Sequence, residues 1–225
     1  MKNHFSPCEN GWVSILIMDK AKPMLSELDS KGVDIVNIAM KALDDATLLS
    51  ELLKGLQSKN DALRSNCFHV LHYISEKNPQ RLYSQWDFFV SLLGSENAYH
   101  RLIAARILAN LTYADRDNKF EMLFDRYYDL LNDSVIVAGH LAADSGTIAK
   151  AKPELRPQIT QQLLSIDTTL QKHKELVKAY ALDGLNKYFN EAENKETILQ
   201  FVREQLTSSS PKTRNKAKQF LSNWG

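Results

Sequence analysis

The sequence predicts an all-α protein built from about five helical hairpins, which follow a degenerate N-terminal unit. Three observations carry this prediction. Only 8 Gly and 6 Pro occur in 225 residues, and no stretch alternates like a strand, so helices should dominate. The sequence repeats at a period near 37, and each repeat contains two amphipathic stretches. Stacked units of this kind can share one continuous core.

The second stretch of each unit shows the clearest self-similarity. Residues 58–74 align with residues 95–111 at an offset of 37, and further steps of 37, 40 and 36 reach three more copies. A row of mostly small residues suits close helix packing: Cys67, Ala104, Leu141, Ala181 and Ala217. A row of large residues follows: Ile74, Leu111, Ile148, Tyr188 and Trp224. We call this stretch the B helix.

The first stretch of each unit carries two rows of its own, and we call it the A helix. One row is Leu56, Leu93, Leu130, Leu170 and Leu206, and the other is Leu49, Trp86, Leu123, Leu163 and Leu199. Rows seven residues apart form one stripe of a helix. The sequence therefore predicts a single solenoid domain over 1–225. Its parts are an N-terminal cap and degenerate unit (1–43) and hairpins at 44–79, 80–115, 116–153, 154–193 and 194–225.

Local signals place the helix ends. The B helices should begin at side chains that can accept from first-turn N–H groups, namely Asn60, Asn97, Ser134 and Ser210. Pro79 and Pro153 should close two B helices, and Ser84 with Asp87 resembles a cap for the second A helix. In the fourth hairpin Lys174 stands at the capping position behind a three-residue insertion, which predicts an irregular loop.

The leading unit is degenerate in this interpretation. Residues 33–43 have the place and the periodicity of its B helix, and residues 12–20 are candidates for its partner helix. We expect residues 1–10 to be poorly ordered.

The paired helices, the period and a basic residue at the fourth B-helix position resemble the HEAT family, which is close to armadillo repeats. The matching residues are Arg64, Arg101, Lys178 and Arg214, with Ala138 as the exception. The resemblance implies a right-handed α–α superhelix whose B helices line the concave face. HEAT units usually place an Asp six residues before the basic one, but here those positions hold Ser58, Ser95, Asn132, Lys172 and Ser208. In HEAT proteins this Asp and the basic residue interact between neighbouring units, and we call these contacts the polar ladder. The departure predicts that the polar ladder is weakened or rebuilt here.

Composition restricts the class of protein. The net charge is +1, so no whole-molecule field would attract nucleic acid or an anionic membrane, although residues 171–225 carry 10 basic and 6 acidic groups. Cys8 and Cys67 form no CxxC pair, which suits a reducing compartment. The apolar run at 12–18 is too short to span a bilayer and lacks the features of a signal peptide. We expect a soluble, cytoplasmic protein that does not cross a membrane.

The alignment names the B-helix side chains outside the apolar stripe. The candidate binding residues on the implied concave face are Asn66, His69, Tyr73, Arg106, Asn110, His140, Tyr180, Asp183 and Lys187. Aromatic residues mixed with charges of both signs suit a protein or peptide ligand. We therefore expect a non-enzymatic scaffold. The plain alternative is a solvated helix surface with no dedicated ligand.

Two other kinds of site remain open. Lys212, Arg214, Lys216 and Lys218 could contact phosphates, and one group of DNA glycosylases resembles this architecture, although a polar face on a terminal repeat explains the same residues. Cys67, His69 and His72 fall short of a zinc motif. No sequence motif implies a cofactor, a metal or a catalytic residue.

The stretch GHLAADSG, residues 139–146, breaks the pattern inside the third B helix. Asp144 and Ser145 align with mostly apolar core positions, so Asp144 needs a partner, for which His140 is a candidate. The pair could be a polar structural contact, the floor of a ligand groove, or a hydrolase site. Gly139 and Gly146 fall on predicted exposed rows, where each lowers helix propensity by about 1 kcal/mol relative to Ala.

Overall fold

The computed structural model describes residues 28–30 and 32–225, and the regular secondary structure within them is helical. The α-helices are α1 (Ile35–Asp44), α2 (Ala46–Gly55), α3 (Asp61–Lys77), α4 (Pro79–Tyr83), α5 (Trp86–Leu92), α6 (Ala98–Leu111), α7 (Lys119–Tyr128), α8 (Val135–Ala151), α9 (Arg156–Leu164), α10 (Lys174–Tyr188), α11 (Lys195–Glu204) and α12 (Pro211–Trp224). After α1, the helices alternate as A and B in five hairpins, and α4 and α5 share the A position of the second. The expectations for residues 1–10 and 12–20 lie outside the described residues.

The tertiary contacts divide the chain into two compact units, residues 1–74 and 75–225, which we call unit 1 and unit 2. In unit 1, Asp34 accepts from the Asn37 amide at 3.0 Å and begins α1. Asp45 accepts from the amides of Thr47 and Leu48 and begins α2. Both carboxylates satisfy first-turn donors, which explains two short helices separated by a single residue. The single-domain organisation stays a prediction.

The core of unit 2 follows the predicted B-helix rows. The small row at Ala104, Leu141, Ala181 and Ala217 is fully buried, as is the large row at Leu111, Ile148 and Tyr188. Trp224 differs, with 37% of its surface exposed. Its indole N–H donates to Asn186 at 2.7 Å and its ring lies 5.3 Å from that of Phe189.

Two leucines of the A-helix rows are exposed, Leu206 at 36% and Leu170 much more. Leu170 is 84% exposed, whereas Ile166 is fully buried. The insertion in the fourth hairpin lengthens the loop between the 3-10 turn at Ile166–Thr168 and the next helix, so that α10 begins only at Lys174. The loop is therefore irregular, as predicted. The Leu170 amide donates to Asn132 at 2.8 Å and the Gln171 side chain donates to the Asp133 carbonyl at 2.6 Å, so the loop is bonded to the preceding hairpin.

Three of the four predicted B-helix caps are present. Asn60 and Asn97 accept from amides two residues ahead at 3.0 and 2.9 Å, and Ser210 accepts from Thr213 at 3.3 Å. Ser134 is the residue at which α8 begins, as predicted, but its side chain makes no capping bond, and its amide donates to Asp133.

Two predictions about helix ends are wrong. Ser84 follows the end of α4 and does not cap the next helix, since Gln85 precedes α5 without a side-chain bond. In the fourth hairpin the capping position belongs to His173, and Lys174 is the first helical residue. Pro79 and Pro153 each lie two residues beyond the end of a B helix, as predicted.

Candidate functional site

The B helices of unit 2 present one continuous stripe of side chains that lies outside the core. Positions four, seven and eleven residues apart share one side of a helix. We call the following set the B-helix face: Tyr99, Ile103, Arg106 and Asn110 on α6; Ile136, His140, Ala143 and Thr147 on α8; Leu176, Tyr180, Asp183 and Lys187 on α10; Lys212, Lys216, Gln219 and Asn223 on α12. Ile103 is fully buried, and the others are half-buried or exposed.

Asp144 borders this face, and its partner is Arg106. The Arg106 Nε donates to the carboxylate at 3.2 Å, and the Lys187 ammonium lies 4.0 Å away. Only 17% of the Asp144 side chain is exposed, so these cations supply the compensation that a half-buried carboxylate needs. No hydrogen bond joins Asp144 to His140 one turn earlier, so the suspected catalytic pair is not formed.

Ser145 is fully buried and has both of its hydrogen-bonding roles satisfied. Its hydroxyl donates to the Leu141 carbonyl at 2.8 Å and accepts from the Tyr128 hydroxyl at 3.1 Å. Burial raises the pKa of Tyr128 well above its usual value, so that phenol stays neutral and remains a donor. Ser145 therefore connects α7 to α8 and is not open to a ligand.

The glycines of GHLAADSG are buried, so their expected exposure is wrong. A Cβ on Gly139 would lie 2.9 Å from the Tyr180 ring, and one on Gly146 would lie 2.3 Å from the Gly184 carbonyl. A Cβ on Gly184 would in turn lie 2.2 Å from the Ala142 carbonyl. Gly146 and Gly184 let α8 and α10 approach backbone to backbone, and Gly139 leaves room for the Tyr180 ring. Close packing requires glycine at these positions, and the cost is the lower helix propensity of glycine.

Tyr180 lies at the centre of the B-helix face. Gly139 contacts one part of its ring, and the Lys212 ammonium lies 3.5 Å from the ring centroid in a cation–π contact. The His140 ring is 5.9 Å away. Burial, together with the positive charges of Arg106 and Lys212, lowers the pKa of His140 below 6.5, although Asp144 acts in the opposite direction. His140 is therefore neutral at physiological pH.

The remaining predicted binding residues of unit 2 also make contacts between neighbouring B helices. Asp183 pairs with Lys216 at 2.7 Å, and the Lys187 ammonium donates to the Thr147 hydroxyl at 3.2 Å. Asn110 donates to Ser75 at 2.9 Å. The structure thus brings Arg106, His140, Tyr180, Asp183 and Lys187 together with Asp144 on adjacent helices.

The other three predicted binding residues belong to unit 1 and are described on their own. Asn66 donates to the carbonyls of Leu28 and Ser30 at 2.7 and 3.2 Å, which holds residues 28–30 against α3. The His69 ring is exposed and lies 5.4 Å from the Phe68 ring, and Tyr73 is half-buried. The role of Asn66 in the structure is therefore to bind this preceding segment to α3.

The polar ladder is rebuilt with different partners. In three B helices the arginine Nη1 donates to the backbone carbonyl six residues earlier, at 2.6 to 2.8 Å; the pairs are Arg64 with Ser58, Arg101 with Ser95 and Arg214 with Ser208. The acidic partner of Arg101 is Asp133 in the next hairpin, which accepts two hydrogen bonds from the guanidinium. Burial opposes the charge on Asp133, yet the Arg101 bonds lower its pKa overall. Lys178 pairs with Asp167 and Glu175 at 2.8 and 2.7 Å.

A buried lysine with two acidic partners was not predicted from the sequence. Lys152 is 5% exposed, and its ammonium lies 3.2 Å from Asp115 and 3.1 Å from Glu121. Burial opposes its charge, but bonds to these carboxylates hold its pKa above 10.5. Asp115 also accepts from the Tyr83 hydroxyl and from first-turn amides of α7. The group joins two hairpins, and the Lys152 ammonium is bonded to both carboxylates. Asp115 and Lys152 lie 37 residues apart, which equals the repeat period. This spacing is the sequence signal from which their contact could have been predicted.

The four basic C-terminal residues differ in their surroundings, and Lys218 is exposed. Arg214 is bonded to loop carbonyls, Lys216 to Asp183, and Lys212 to the Tyr180 ring.

No observation favours a metal site at Cys67, His69 and His72. Burial raises the pKa of the Cys67 thiol to about 12. Within the part of the chain that the structure describes, no three His, Cys, Asp or Glu residues converge on a metal position.

Comparison with known proteins supports the fold. No family model and no curated protein matches the chain. Among solved structures, a designed armadillo repeat protein is similar with a TM-score of 0.55 and 18% identity, over 98% of this chain and 96% of the other. An engineered protein is similar with a TM-score of 0.51 and 17% identity, over 91% and 96%. None of the described helices is both long enough and apolar enough to cross a bilayer. With its A and B helices in five hairpins, the chain has the fold of the HEAT- and armadillo-type α-solenoids.

Proposed function

We propose that the protein is a cytoplasmic, non-enzymatic scaffold that holds a protein or peptide segment on the B-helix face. The observation that carries this proposal is an exposed apolar row beside paired charges. Ile136 is 60% exposed in the first turn of α8, and the half-buried Leu176 occupies the corresponding position on α10. Tyr180 lies one turn further along α10.

This arrangement has the composition of a binding surface. Exposed aliphatic and aromatic side chains supply the area whose burial drives association. The neighbouring ion pairs Arg106–Asp144 and Asp183–Lys216 already have fixed geometry, so less side-chain entropy is lost when a partner covers them. The close backbone packing of α8 on α10 at Gly146 and Gly184 places the two apolar positions on directly adjacent helices.

The test compares two matched substitutions. Ile136→Asp puts a charge into the apolar row, and it should not weaken α8, because an acidic residue suits a helix N-terminus. Met122→Asp makes the same kind of change on α7, where Met122 is 81% exposed and lies off the B-helix face. Both tagged variants and the parent protein are used for quantitative affinity capture from lysate of the source cells.

The proposal predicts one or more partners that the parent and the Met122→Asp protein retain equally and that Ile136→Asp loses by about tenfold or more. Thermal unfolding of all three proteins should coincide. Capture that is equal for both variants would show that the B-helix face is not the binding surface.

A further inference from the structure

The B-helix face, with Asp144 at its border, carries more positive than negative charge. Its basic residues are Arg106, Lys187, Lys212 and Lys216, and its acidic residues are Asp144 and Asp183, so four stand against two. Both carboxylates are already engaged in ion pairs, Asp144 with Arg106 and Asp183 with Lys216. A partner that approaches this face therefore meets cations whose charge is not fully compensated.

Lys212 is the cation with the most available charge. Its side chain is exposed, and its described contact is the face of the Tyr180 ring at 3.5 Å. Among residues 28–30 and 32–225, no carboxylate lies within ion-pair distance of its ammonium. A cation held over a ring keeps most of its hydration and remains able to bind a carboxylate.

The apolar row adjoins this cation. The Tyr180 ring that carries Lys212 rests on Gly139 of α8, and Ile136 precedes Gly139 by about one turn. An exposed aliphatic side chain, an aromatic ring and a cation with no acidic partner are thus brought together by the first two turns of α8, α10 and α12. The positive charges of Arg106 and Lys212 both lower the pKa of the nearby His140, while Asp144 acts in the opposite direction.

We propose that this end of the B-helix face, formed by Ile136, Leu176, Tyr180 and Lys212, binds an acidic protein segment in which a carboxylate adjoins a large apolar side chain. The carboxylate pairs with Lys212 and the apolar side chain covers Ile136. This inference rests on the proposed function and names the chemistry of the partner.

Fluorescence anisotropy with synthetic peptides tests the inference. The probe is a labelled peptide with Asp-Leu pairs spaced by Gly and Ser. One matched peptide carries Lys in place of Asp, and another carries Ser in place of Leu. The proteins are the parent, Lys212→Glu and Lys218→Glu. Lys218 is exposed on the same helix but off the B-helix face, so it controls for the change in net charge.

The parent should bind the Asp-Leu peptide about tenfold or more tightly than either matched peptide. Lys212→Glu should abolish that preference and favour the Lys-Leu peptide, while Lys218→Glu leaves it in place. Equal effects of the two substitutions, no preference among the peptides, no binding, or tighter binding of labelled single-stranded RNA would each overturn the inference. If capture still depends on Ile136 in that case, the proposed function stands and only the acidic partner is wrong.

Discussion

In three hairpins of this protein a single arginine joins the B helix to the loop that precedes it. Arg101 shows the principle, since its guanidinium bonds the Ser95 carbonyl and also both oxygens of Asp133 in the next hairpin. The arginine positions were visible in the sequence because they recur with the repeat. The partners of these arginines could not be predicted from the sequence. Any residue type can supply a backbone carbonyl, and the acidic partner of Arg101 is Asp133, one position after Asn132, where HEAT units usually have an Asp.

Replacing Arg101 with Ala should lower the free energy of unfolding by about 3 kcal/mol, because Asp133 would remain half-buried without its counterion. Urea denaturation measures the change. Arg116→Ala is the control, since Arg116 is exposed on the adjoining loop, and it should change stability by less than about 0.5 kcal/mol. Similar losses in the two variants would show that the Arg101–Asp133 pair is not what stabilises the junction.

His140 should make stability depend on pH in a definite direction. Its pKa in the folded protein lies below the ordinary 6.5, mainly through burial and then through Arg106 and Lys212. Its contribution to stability is therefore complete above pH 6.5 and is lost as the pH falls from there through the folded pKa, because the unfolded chain takes up the proton more readily.

The comparison of the parent with His140→Gln isolates this effect. The variant should show a smaller loss of stability on acidification from about pH 7.5 to about pH 5.5, as measured by denaturant midpoints. Parallel pH profiles for the two proteins would contradict the lowered pKa.

At the level of whole helices, the glycines between α8 and α10 are the largest departure from sequence expectation. Gly139 and Gly146 look like helix-weakening residues in an isolated repeat, and propensity is all that a single sequence reveals about them. Their role becomes clear only when α10 is present, because Gly146 and Gly184 each leave room for a carbonyl of the opposite helix. The repeat period, in contrast, is a property of the chain itself, and it is visible in the sequence without any partner helix.

Gly184→Ala should destabilise the protein by about 1 to 3 kcal/mol, because a methyl group 2.2 Å from the Ala142 carbonyl forces two backbones apart. Helix propensity alone predicts the opposite sign, a gain of about 1 kcal/mol. The control is Gly94→Ala, where the nearest atom is the flexible end of Arg126 at 3.2 Å and a change near zero is expected. Thermal and urea unfolding of both variants measure the difference. A stabilised Gly184→Ala protein would mean that the helices are further apart.

For the whole molecule, the overall charge of +1 conceals an uneven distribution. The sequence showed that the last quarter is basic, but it could not show that Arg214 and Lys216 are engaged while Lys212 keeps its charge available. It also missed Ile136 and Leu176 as binding candidates, because apolar residues at repeat positions resemble core. Exposure in the folded chain separates these cases, since Ile136 is 60% exposed and Leu176 is half-buried beside the charged residues of the B-helix face.

Site-specific photocrosslinking tests the central claim most directly. A photoreactive phenylalanine derivative is placed at Ile136, on the B-helix face, or at Met122, off it, and each tagged protein is irradiated in source cells. Both positions are exposed, so the reaction of the photoreactive group with solvent and its crosslinking by chance collisions should be similar at the two positions. The account predicts a discrete crosslinked protein from position 136 that is absent from position 122. Discrete products from position 122 alone, or the same products from both positions, would contradict binding at the B-helix face.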